Sequence, residues 1–206
     1  MALFRIGDDS AFRFAKKITS YHLLLPFNPY FCHTMTIQFT SKEKLYRDYQ
    51  GAFLAQFSLT DTTLNSDAEI ITAFLQNKDL VKASWPDIKG ADTKELLTPA
   101  FRFDAITQEQ LAPLTKSQLS AFFEQYIKDQ LWFGEEEAII KLITKWVTGK
   151  LASGATESCY LLDMQSFTGN DNVLDLTSAE QYDYFFSIFW IDKTAMTLSV
   201  CHMLYE

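Results

Sequence analysis

The stretch YDYFFSIFWIDKTAMTLSVCHMLYE, residues 182–206, decides how this chain is read. From Tyr182 to Ile191 aromatic and β-branched side chains fall on both alternating faces, the composition of a strand packed on two sides. Asp192, Lys193, Thr194 and Ala195 form a turn signal. Met196, Leu198, Val200, His202 and Leu204 then alternate with Thr197 and Ser199, which predicts a second strand.

Upstream, the period of two persists. Tyr160, Leu162 and Met164 alternate with Leu161, Asp163 and Gln165, and predict a strand. Residues 168–172 are a turn signal, and Val173, Leu174 and Leu176 predict a short further strand. Residues 157–206 therefore read as an antiparallel sheet of three to five strands.

Before it the period is helical. Thr115 with Gln118 forms a capping box, and Leu119, Phe122, Phe123, Tyr126, Ile127 and Leu131 make one apolar stripe. Gly134 ends that helix, and Glu135, Glu136 and Glu137 open the next at the positive end of its dipole. Ile139, Ile140, Ile143, Trp146 and Val147 follow, with Lys145 in the last turn and Gly149 at the C-cap. The pattern predicts a helical hairpin from Thr115 to Thr148.

Ser66 with Glu69 opens another helix through Ile70, Ile71, Phe74 and Leu75, running towards Trp85 and ending before Pro86. Thr107 with Gln110 starts a short one that Pro113 stops. Thr40 with Glu43 fits a third capping box, and Leu45, Tyr49, Ala52, Phe53 and Phe57 recur at helical spacing, so a helix is expected there too. Met35, Ile37 and Phe39 suggest a brief strand, and residues 1–34 an irregular arm broken by Pro26 and Pro29.

The expected fold is a single α+β domain spanning 1–206. Residues 35–150 are mainly helical and 157–206 form the sheet. The helical hairpin covers one face of that sheet and leaves the other, acidic face open.

Charge is unevenly distributed. Residues 157–206 hold eight acidic side chains and one basic one, Lys193, so they carry −7 of the chain's −8. No basic stripe exists to displace phosphate counterions, which argues against nucleic acid as a partner. No apolar run reaches the roughly 20 residues of a membrane span. Three cysteines, Cys32, Cys159 and Cys201, make no disulfide framework and suit a reducing, cytoplasmic setting.

Catalytic signatures are absent: there is no Gly-x-Ser-x-Gly, His-Glu-x-x-His, Cys-x-x-Cys or Gly-x-Gly-x-x-Gly. Thr148, Gly149 and Lys150 resemble a phosphate-loop fragment but sit where a helix should end. Cys32–His33 and Cys201–His202 supply the two sulfurs and two nitrogens that zinc accepts. Neighbours on a strand point to opposite faces, however, so Cys201 and His202 could share a metal only where the strand breaks. Cys32 with His22, His33 or His202 is the candidate thiol site. The group Asn170, Asp171, Asn172 and Asp175 lacks EF-hand spacing and reads as turn chemistry.

The reading these features favour is a non-catalytic cytoplasmic binding or inhibitory protein with no cofactor. Its expected partner is a basic protein, and a bacterial immunity protein neutralising a basic toxin is one concrete form. Asp163, Asp175, Asp183 and Asp192 would steer that partner, with Tyr184 and Trp190 as anchors. The alternatives are an enzyme of unrecognised type using a Cys or a His/Asp site, or a structural or adaptor subunit, including one that forms a homo-oligomer.

Overall fold

The structure, a computed structural model, describes residues 35–60, 66–86, 88–89, 98–155 and 158–206. The expected arm at 1–34, with His22, Cys32 and His33, lies outside the described residues.

Among the described residues, six antiparallel strands form one sheet. They are β1 (Thr36–Arg47), β2 (Gln50–Thr60), β3 (Ala112–Thr115), β4 (Ser158–Asp163), β5 (Tyr184–Asp192) and β6 (Thr197–Tyr205), in the order β1-β2-β6-β5-β4-β3. The helices α1 (Asp67–Leu75), α2 (Lys78–Ser84), α3 (Lys116–Asp129), α4 (Glu136–Ala152) and the single turn α5 (Leu176–Ala179) lie between the strands in sequence. The chain is thus an α+β sandwich with strands early and late and helices in the middle. The expected helical first half followed by a sheet second half is overturned.

The segment that corrects it is 36–60. Expected as a helix from Thr40 on, after a brief strand at 35–39, the whole segment is the β1–β2 hairpin, paired from Thr36 with Thr60 to Arg47 with Gln50. Its two-residue turn holds Asp48 at φ 43° and Tyr49 at φ 65°, the positive-φ pair that matches the twist of a tight hairpin. Thr40 does not cap a helix; its hydroxyl donates to the Gln56 carbonyl at 2.8 Å, and Glu43 instead pairs with Lys150. The helical spacing was a coincidence of a strand buried on both sides. Phe53, Ala55, Phe57 and Leu59 face one core while Ala52 and Leu54 face the other, so β2 is nearly continuously apolar.

Both faces of the sheet are covered. On one, α3 and α4 lay Leu119, Phe123, Ile140, Ile143 and Val147 over Ala52, Leu54, Tyr184, Phe186, Ile188 and Met203. Phe186 makes edge-to-face contacts with Phe122 at 5.5 Å and Phe123 at 6.2 Å, which fix the hairpin over β5. On the other face, α1, α2 and the 98–111 and 164–182 segments bring Ile70, Ile71, Phe74, Leu80, Phe101 and Phe103 against Phe57, Phe185, Phe189 and Val200. The open acidic face expected from the sequence therefore does not exist.

Local chemistry explains the helices that were foreseen. The Ser66–Glu69 and Thr115–Gln118 capping boxes are both formed, with Glu69 N donating to Ser66 Oγ and Gln118 N to Thr115 Oγ1, each at 3.2 Å. The first of these helices stops at Leu75, where Asn77 recaps the chain by accepting from Asp79 N and Leu80 N and starts α2. The second helix of the hairpin runs through Gly149 to Ala152, so Gly149 is not its cap and Lys150 is the cation of its last turn. The strand expected at 173–176 is instead a single Leu174–Phe101 bridge followed by α5.

Candidate functional site

Sheet register divides the molecule into two ends. One carries the Asp48–Tyr49 turn, Tyr205, Glu206, the start of β5 and the close of β4, because Gln50 and Tyr184 both pair with Tyr205 and Asp163 pairs with Phe186. The α3–α4 connection, residues 130–135, reaches this same end, since the Tyr205 hydroxyl donates to the Glu136 carboxylate. That bond and the Phe133 N–H donating to Glu136 at 2.8 Å hold the Glu136 carboxyl below its ordinary range.

The connection is braced from within. Trp132 Nε1–H donates to the Ile127 carbonyl at 2.6 Å, and its ring meets Tyr126 at 6.2 Å. Tyr126 packs in turn on Tyr184 and Phe186. With Trp132 turned inward, its two neighbours point out: Leu131 is 88% exposed and Phe133 73%. Tyr49, at the β1–β2 turn of the same end, is 48% exposed.

Acidic groups surround these apolar side chains. Asp48, Asp129, Glu135 and Asp183 are exposed there, and Asp163 and Glu206 are half-buried, while Arg47 and Lys128 are the nearby cations. Burial pushes the Asp163 carboxyl up, opposed by hydrogen bonds from Gln165 N and the Ser166 hydroxyl. Asp163 and Asp183 both act on the Tyr126 phenol, which burial and these two charges push above its ordinary range.

The six residues singled out from the sequence are not brought together. Asp163 and Asp183 share the end just described. Asp192 lies at the opposite end of β5, about 27 Å away at 3.4 Å per residue. Its carboxylate accepts from Ala155 N, Thr194 N and Ala195 N, and these bonds hold its pKa below the usual carboxylate range. Asp175 is the N-cap of α5, accepting from Ser178 N at 3.2 Å. Tyr184 and Trp190 are buried beneath the helical hairpin and offer no surface to a partner.

A second arrangement was missed by the sequence reading. His202 of β6 is fully buried, with Ser84 Oγ 2.9 Å from Nε2 and Ser187 Oγ 2.9 Å from Nδ1. The Ser84 hydroxyl donates to the Val81 carbonyl at 2.7 Å. Its proton is therefore committed, so His202 Nε2–H donates to Ser84 and Nδ1 accepts from the Ser187 hydroxyl. Trp85, Phe103 and Phe185 surround the imidazole at 5.3–6.0 Å. Burial, with a smaller contribution from the Lys42 charge, lowers the His202 pKa to about 3. The ring is neutral and ties the end of α2 to the sheet. No sequence signal marked it, because Ser84 and His202 are 118 residues apart.

The thiols are equally enclosed. Cys159 and Cys201 are buried and free, and burial pushes the Cys159 thiol up to about 11 and Cys201 higher still. Cys201 faces the α3–α4 core while His202 faces the opposite one, as strand alternation requires. Among the described residues no group of three His, Cys, Asp or Glu is placed to hold a metal ion. None of their helices is long and apolar enough to cross a membrane. No protein-family model, curated protein or solved structure matches the chain.

Proposed function

We propose that this chain is a non-catalytic interaction subunit that engages a protein partner through the α3–α4 connection and the acidic sheet end around it. The observation that carries the reading is the exposure of Leu131 and Phe133 on either side of an internally anchored Trp132. Large apolar side chains carried on a backbone that Trp132 anchors cost less chain ordering on binding and gain from desolvation there. Asp48, Glu135 and Asp183 around them favour a partner whose contact surface is apolar at its centre and basic at its rim. Asp163 and Asp183 keep the steering role expected of them, and Asp175 and Asp192 have local structural ones.

The test is capture of a partner by wild type and by the Leu131→Ser/Phe133→Ser variant at low and high salt. The reading expects a partner retained by wild type, lost with the variant and weakened by salt. Equal retention by both proteins would refute it.

An enzyme reading has one observation in its favour: Ser187, His202 and Ser84 stand in the order of nucleophile, base and orienting group. Access weighs against it, since all three side chains are fully enclosed. Labelling of Ser187 by a fluorophosphonate in the folded protein would restore that reading.

A further inference from the structure

The α3–α4 connection is fixed at two points, and only one of them, the Trp132 indole, lies within it. The other is Glu136, in the first turn of α4. One oxygen of its carboxylate accepts from the Phe133 N–H at 2.8 Å. The Glu136 N–H donates in return to the Phe133 carbonyl at 3.1 Å, so the two residues close a reciprocal turn. Gly134 crosses that turn at φ 58°, a left-handed backbone that glycine adopts without a steric cost. The second carboxylate oxygen accepts from the Tyr205 hydroxyl of β6. Tyr205 is a firm support: its ring packs on Tyr184 at 5.9 Å, and its backbone stands between Gln50 and Tyr184 in the sheet.

We propose that Glu136 and Tyr205 are positioning residues of the docking surface: they fix the backbone at Phe133 and act on the partner through it. This rests on the reading of the α3–α4 connection as the docking element. An ionised carboxylate accepts on both oxygens at once, so one side chain couples the loop to the last strand of the sheet. The Phe133 ring is exposed and lends its own backbone little packing, which leaves these hydrogen bonds to hold it. Without them the backbone at 133 opens locally, and the cost of ordering it falls on binding.

The test is made on the whole chain with two readouts. Amide hydrogen exchange at residues 131–136 needs no partner, and capture from native-cell lysate reads partner retention. Tyr205→Phe keeps the ring and removes the donor, and Glu136→Ala removes both acceptors. Glu136→Gln keeps an acceptor for the Phe133 N–H and a polar partner for Tyr205, and is the conservative rescue. The proposal expects Phe133 N–H exchange about tenfold faster in Tyr205→Phe and Glu136→Ala, and restored towards wild type in Glu136→Gln. Exchange in β2, β5 and β6 should not change, and partner retention should fall in the same order. Unchanged exchange at Phe133 in Tyr205→Phe would overturn the proposal. So would faster exchange across the whole sheet, the mark of a merely structural role. A partner retained by Tyr205→Phe but lost with Leu131→Ser/Phe133→Ser would overturn the positioning role and leave the docking reading standing. A partner retained by both would overturn the two together.

Discussion

Ser84, the last residue of α2, accepts a hydrogen bond from His202 of the inner strand β6 at 2.9 Å, deep inside the molecule. Ser187 of β5 donates to the other ring nitrogen at the same distance, so one imidazole fastens three elements. Deleting the Ser187 hydroxyl leaves a buried acceptor unpaired, a cost of about 1–3 kcal/mol. Ser187→Ala should lower stability by that amount in denaturant unfolding.

The same histidine makes stability depend on pH. Its folded pKa, about 3, is below the unfolded value of 6.5, so the unfolded chain binds the extra proton between them. Stability should be fully present above about pH 6.5 and fall as pH drops towards 3. Between pH 6.5 and 5 the loss should reach about 1–2 kcal/mol. The difference between wild type and His202→Asn across that window isolates the term from every other group.

Gly51 in β2 has no room for a side chain. A Cβ there would lie 2.4 Å from the Tyr46 ring and 3.1 Å from the Leu45 carbonyl oxygen. Gly51→Ala should displace Tyr46, break its hydrogen bond to Glu206 and cost about 1–3 kcal/mol. Thermal unfolding would show it.

Asp192 closes the β5–β6 turn by accepting from Thr194 N and Ala195 N, and ties it to the end of the α4 segment by accepting from Ala155 N. Its carboxyl is held below the ordinary range, so its contribution is present above the unfolded pKa and lost as pH falls through the folded one. Asp192→Ala should destabilise at neutral pH, with the deficit shrinking in acid. Partner affinity of the protein that remains folded should be unchanged, in contrast with Asp183→Asn.

The arrangement of the fold was not legible, but single elements were, where local chemistry and burial agree. Capping boxes at Ser66 and Thr115 announced their helices because side chain and backbone satisfy each other within four residues. The β1–β2 hairpin was illegible because Asp48–Tyr49 is not a glycine turn and β2, buried on both faces, alternates in no visible way. That one misreading propagated: with β2 and most of β1 assigned as helix, the sheet seemed to be confined to the second half of the chain. Of the site, the acidic charge was legible, but its split between the two ends of β5 depends on register. Leu131 reads as part of a helical stripe although the helix ends at Asp129, and Phe133 was not singled out.

The most direct measurement is photo-crosslinking in the native cell from a reactive amino acid placed at position 133, with position 193 at the opposite end of the sheet as the control. The account predicts a crosslink to one protein from position 133, lost on Leu131→Ser, and none from position 193. Crosslinks to the same protein from position 193 alone, or from both positions equally, would contradict it.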